Sequence, residues 1–170
     1  MADIIFGAYS FLLLGAQAGG SAYFASTVSQ ELRPYFDSHG MRGEASDAGQ
    51  AFGYLVASAI FAGLSVVGML MNMCRGSRGS EEDGEGLYSI VFGVSVAIIF
   101  TVFACLTIQH SWGWWQHFAA EGNDHLAEVS RGLAAFLISI IVLSAVGSIT
   151  WIVATLACFK VTHRLGEDQS

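Results

Sequence analysis

Gly15-Ala16-Gln17-Ala18-Gly19-Gly20-Ser21-Ala22 lies at the centre of an uncharged run from Ile4 to Val28, and the reading of that run decides the fold. As a helix it would rise about 37 Å, more than the roughly 30 Å of a bilayer's hydrocarbon core, so the run is long enough to span. Gly15 and Gly19, Ala16 and Gly20, Ala18 and Ala22, and Ala22 and Ser26 are each four residues apart. Neighbouring stripes of very small side chains let the backbone of another helix come close, and this helix is expected to be packed against.

Working outward, three more apolar runs follow, and with the first they occupy 4–28, 51–74, 87–109 and 133–159. All fourteen acidic and seven basic residues of the 170-residue chain fall outside these runs, although 54% of the chain is hydrophobic. The pattern predicts an all-α, integral-membrane four-helix bundle: a tetraspan, a single four-span domain with both termini on the same side. Outer loops are expected at 29–50 and 110–132, an inner loop at 75–86 and an inner tail at 160–170. Arg75, Arg78, Lys160 and Arg164 on the termini side outnumber Arg33, Arg42 and Arg131 on the other, which places the termini inside. Met1-Ala2-Asp3 carries an acid and no base, so the first run reads as a retained span rather than a cleaved leader. A net charge of −7 argues against nucleic acid and against polybasic attachment to anionic lipid.

Pro34, the sole proline, is expected to end the helix continuing from the first span, because it biases Arg33 away from helical backbone. Ser46 or Asp47 would then cap the second span. That span repeats the small-residue spacing in Gly49, Gly53 and Ala57 and in Ala59, Gly63 and Val67, making spans one and two the expected tight pair. Gly15, Gly19, Gly20, Ala22, Gly49, Gly53 and Gly63 are the expected helix-packing positions. The inner loop, with four glycines, two serines, six charges and no apolar residue, reads as a solvated linker in which Ser77 and Ser80 are candidate phosphorylation sites.

The second outer segment opens with Trp112-Gly113-Trp114-Trp115, and indoles at the end of a span suit the headgroup layer. Trp112, Trp114 and Trp115 are expected as an interfacial belt. Beyond them His117, Glu121, His125 and Glu128 step by four, four and three, which on a continuous helix would align them for Zn²⁺ or a similar metal, with Asp124 or His110 as further ligands. Gly122-Asn123 interrupts that helix, and a hydrated acidic surface is the simpler expectation. Cys74 and Cys158, at the inner ends of spans two and four, are candidates for lipidation, or small apolar residues; the outer loops hold no cysteine and so no disulfide. An offset of 84 superposes Ala51-Phe52, Gly63 and Cys74 on Ala135-Phe136, Gly147 and Cys158, as though two hairpins repeated.

The spans contain no Asp, Glu, Lys, Arg or His, which weighs against pumps, ion-coupled transporters and voltage sensors and against a haem held by histidines. Gln17 reads as interhelical glue. No nucleophile, base and oxyanion arrangement is apparent, so no enzyme and no cofactor are expected. In size and layout the chain resembles the tetraspan families, MARVEL-type proteins among them. It lacks the Trp and Cys pair of the claudin first loop and the Cys-Cys-Gly of tetraspanins. The expected function is that of a non-enzymatic scaffold or accessory subunit of a larger membrane complex. Its expected partners are membrane lipids and other transmembrane helices, in a homo-oligomer or a hetero-complex. A small membrane enzyme or metal-binding protein using the His/Glu cluster, and an oligomeric pore, are the alternatives.

Overall fold

A computed structural model describes the backbone over 2–75 and 85–167, and side-chain surroundings over 7–68, 70–71, 98–150 and 153. Ser77, Ser80 and the surroundings of Cys74 and Cys158 lie outside the described residues. Among those described the chain is all-helical: α1 (Ala2–Thr27), a π-helical turn (Val28–Leu32), α2 (Arg33–Ser38), α3 (Arg42–Arg75), α4 (Glu85–Glu121) and α5 (Asp124–Glu167). The first three form one continuous rod, so four long helices of roughly 50 to 66 Å alternate in direction. α1 packs most extensively on α3, and α4 on α5. These two hairpins join along α1 and α5, and more sparsely along α3 and α4.

The segments 29–50 and 110–132, expected as loops, are instead helical apart from 39–41 and 122–123. Pro34 does not end the first helix. It sits in the opening turn of α2, where a missing N–H costs least, and the preceding turn widens so that the Arg33 N–H reaches the Val28 carbonyl. Arg33 itself stays helical (φ −63°, ψ −47°). Nor does α3 wait for a cap at Ser46 or Asp47. It begins at Arg42, because Gly40 (φ 72°) reverses the chain at once.

The two turns are copies of one another. At the first, Met41 N–H donates to Phe36 C=O (2.9 Å) and Gly40 N–H to Asp37 C=O (3.3 Å). At the second, Asn123 N–H donates to Phe118 C=O (2.9 Å) and Gly122 N–H to Ala119 C=O (3.4 Å), with Gly122 at φ 73°. Both are Schellman closures, which need a residue in the left-handed region and favour glycine there. Asn123 Oδ1 then accepts the Leu126 N–H (3.3 Å) and caps α5. Every partner in the second turn lies 82 residues beyond its counterpart in the first. Near the turns burial follows the same register, with Ala25 and Thr107, Leu32 and Trp114, Phe36 and Phe118, Ala45 and Ala127, Ala48 and Ser130, Ala51 and Leu133, and Leu55 and Leu137 all buried; farther out it does not, buried Ser21 and Ala62 falling on exposed Phe103 and Ser144. The hydrogen bonds of the two turns repeat at 82 rather than 84, and an offset of 84 would pair buried Ala51 with exposed Ala135.

Packing is densest near the turns. Phe36 and Phe118, both fully buried, stack with centroids 5.6 Å apart, and Trp114 leans on Phe36 at 5.6 Å. Farther along, the outer surface is apolar: Leu12, Ile60, Leu64, Val142 and Ile149 are among many large side chains left exposed. Among the described residues two helices are long and apolar enough to cross a membrane, over Arg42–Gly68 and Asp124–Thr150, and only 28% and 17% of their most apolar windows are buried.

Candidate functional site

Among the described residues polar side chains connect the helices beside the turns and deep along α1 and α3. Beside the turns, the Tyr35 hydroxyl donates to Glu121 Oε2 at 2.6 Å, tying α2 to α4. His125 Nε2 and Glu31 Oε2 meet at 2.8 Å, tying α5 to the π turn, and His110 Nδ1 and Asp47 Oδ2 at 3.2 Å, tying α4 to α3. His39 stacks on the Tyr35 ring with centroids 4.1 Å apart. The hydrogen bond to Glu121, followed by partial desolvation and the carboxylate's charge, holds the Tyr35 phenol above its ordinary pKa of 10.0. Tyr35, Glu121, Gly122, Asn123 and Asp124 line an open polar cleft of about 650 Å³ at this end.

The four residues expected to share a helix face are divided by the turn. His117 and Glu121 end α4, with Nε2 and Oε1 3.3 Å apart but not aligned for a hydrogen bond. His125 and Glu128 begin α5, and His125 is taken by Glu31 of the other hairpin. Among the described residues no three His, Cys, Asp or Glu side chains converge on a point that could hold a metal. Gly122 is the cause: its left-handed backbone ends α4 between the second and third members of the series.

The tryptophans also separate. Trp112 is about half exposed and meets Trp115 edge-on at 4.8 Å, whereas Trp114 is 3% exposed. Because the segment is helical, Trp114 shares its inward face with Phe118 four residues on, leaving Trp112 and the half-buried Trp115 nearer the outside.

Deep in the α1–α3 contact, Gln17 Nε2 donates to Ser58 Oγ at 3.0 Å, and the Ser21 hydroxyl meets the same oxygen at 3.2 Å. Gln17 is thus the interhelical contact its sequence position suggests. Ser58 stands out less in the sequence, since serines occur in every run; its place four residues before Ala62, on the buried face of α3, is the signal that could have found it. Of the small residues, Gly20 is pressed against the Phe136 ring, which a Cβ would overlap. Nothing lies within 4 Å of a Cβ built at Gly15, Gly19, Gly49, Gly53 or Gly63, and Ala22 is exposed. Gly147, which the sequence marks only as a repeat position, approaches the Tyr9 ring (2.7 Å from a built Cβ), and Tyr9 donates to Leu143 C=O at 2.6 Å.

The chain matches no protein-family model, no curated protein and no solved structure.

Proposed function

We propose that the chain is a four-span, non-enzymatic membrane protein whose role is lateral association, as scaffold or accessory subunit, with other transmembrane helices. The observation that carries this reading is the outward face of α1. Gly15, Gly19, Ala22 and Ser26 follow one another at helical spacing, all are exposed, and a Cβ at either glycine would meet nothing within 4 Å. The intramolecular contact with α3 uses Gln17 and Ser21 instead, which leaves that stripe unused by the bundle itself. In a bilayer such a stripe admits a second helix at close range.

The membrane part of the reading rests on the exposed apolar side chains of α3 and α5, which in water would be a large apolar surface without cover. The helix ends carrying the turns, with their histidines and carboxylates, then project beyond the bilayer as a small packed cap. The termini lie on the opposite, inner side.

The test is the mass of the protein purified in mild detergent, measured by light scattering after size exclusion, with any companion chains identified by mass spectrometry. The wild type is expected as an oligomer or within a larger complex, and Gly15→Leu with Gly19→Leu is expected to reduce it to single protomers. Both positions are open, so the substitutions leave the fold intact. An unchanged complex in the double variant would refute the reading.

A further inference from the structure

The two seams that join the hairpins are unequal, and the difference leaves a groove. Along α1 and α5, Gly20 and Gly147 admit the Phe136 and Tyr9 rings, and the helices close up. The positions related to these glycines by the 82-residue register are Val102 on α4 and Ser65 on α3, neither of them a glycine. There an apolar groove of about 450 Å³ remains between α3 and α4. Gly53 and Ala57 line it with small side chains, and Tyr54, Phe61, Phe100 and Phe103 line it with rings. Tyr54 and Phe61 each lie against Phe100, at 5.9 and 5.4 Å between centroids.

We propose that this groove binds one acyl chain of a membrane phospholipid, its head group resting on Gln50 and the Asp47–His110 pair. The proposal rests on the membrane-spanning reading given above. Polarity selects the occupant. From Gln50 to Phe61 the groove runs about 16 Å along α3, with an apolar lining that a single polymethylene chain can follow.

The polarity of the two ends agrees. The lining is aromatic and aliphatic except for Gln50 at the end nearer the cap. One turn beyond Gln50, Asp47 and His110 meet at 3.2 Å, each about one-third exposed. Trp112, half exposed and two residues past His110, would suit the headgroup layer that indoles prefer. A head group there finds a carboxylate for its amine, and an amide and an imidazole N–H for its phosphate. Phosphatidylethanolamine has both groups and an acyl chain to descend between the rings.

The full chain is reconstituted in liposomes of phosphatidylethanolamine and phosphatidylcholine. A fraction of the phosphatidylethanolamine carries a diazirine in one acyl chain, and adducts are mapped by mass spectrometry after irradiation. Adducts are expected to concentrate on 50–61 and 99–103. Gly53→Leu, at a position where a Cβ meets no atom within 4 Å, puts a side chain into the groove and is expected to lower them at least fivefold. Adducts on the outward α5 residues Val142, Val146 and Ile149 should not change. Ala57→Leu serves the same purpose should Gly53→Leu not fold. Adducts spread evenly around the bundle, adducts at the groove indifferent to both substitutions, or protein–protein cross-links through the groove would each overturn the proposal while leaving the membrane reading standing. Absence of adducts from α5 as well would overturn both.

Discussion

Replacing Phe118 with alanine tests whether the turn end of the bundle is a true packed core. Phe118 is fully buried, stacks on Phe36 at 5.6 Å and meets the Tyr35 ring edge-on at 5.1 Å. Removing a buried phenyl ring costs about 3–5 kcal/mol through lost transfer energy and the cavity left behind. Because the Phe36 and Tyr35 rings both lose an aromatic partner, the cost falls in the upper half of that range. At about 1.4 kcal/mol per decade, the folding equilibrium should fall by roughly 10³ or more. The comparison is Leu64→Ala, also an apolar truncation but at a side chain 63% exposed, which should cost under about 0.5 kcal/mol in detergent micelles. The assay is urea unfolding in a mild detergent followed by tryptophan emission, since Trp114 is 3% exposed and 5.6 Å from Phe36, and moves to a polar environment when this core opens. A Phe118→Ala midpoint indistinguishable from that of Leu64→Ala would refute the idea that the helix ends beyond the apolar belt are held by their own core.

Ser58→Ala removes the oxygen shared by Gln17 and Ser21 and should destabilise the α1–α3 pair by about 0.6–2 kcal/mol in the same titration, with Ser65→Ala, at an exposed position, as the silent control. Gly20→Ala should cost about 1–3 kcal/mol because its Cβ meets the Phe136 ring, and Phe136→Leu should restore part of the loss; Gly15→Ala, in open space, should not destabilise. The difference between the ultraviolet titrations of wild type and Tyr35→Phe should isolate a tyrosine ionising above 10.0, and in Glu121→Gln that component should return toward the ordinary range. The protonated phenol is the form favoured on folding, so this contact's stabilisation is complete below pH 10 and declines as pH rises through the raised Tyr35 pKa.

The helical class and the part played by Gln17 are legible in the sequence because each depends on a local property: apolar length, and a lone amide in an uncharged run. The pairing of α1 with α3 is as read but rests on other residues, since nothing lies within 4 Å of a Cβ at Gly15, Gly19, Gly49, Gly53 or Gly63, and Gln17, Ser21 and Ser58 make the contact. The ends of the helices are not. Pro34 reads as a stop by its own chemistry, and only the widened turn before it, a cooperative backbone adjustment, lets the helix continue to Ser38. A loop over 110–132 misplaces what depends on it. It leaves Trp114 in a surface belt, when helical spacing carries it inward to Phe118. One unbroken helix puts His117, Glu121, His125 and Glu128 on one face, when Gly122 turns the chain between them. Gly40 and Gly122 hold the information, but glycine is frequent in this chain and a left-handed φ is visible only in the backbone. Gly20 and Gly15 likewise belong to the same motif, and packing alone separates a contact from an open position.

The 82-residue register also bears on which halves belong together. If two copies of the first hairpin met through the same geometry, Glu31 would face Gly43 where His125 now stands, and Asp47 would face Val28 in place of His110. Two copies of the second hairpin would set His125 against Gly113 and His110 against Val129. Either like pairing retains the Phe36 and Phe118 shape at the centre but leaves its carboxylates or its imidazoles without a counterpart. The core near the turns is similar in the two hairpins, and the two histidine ties are contacts that only the unlike pairing makes.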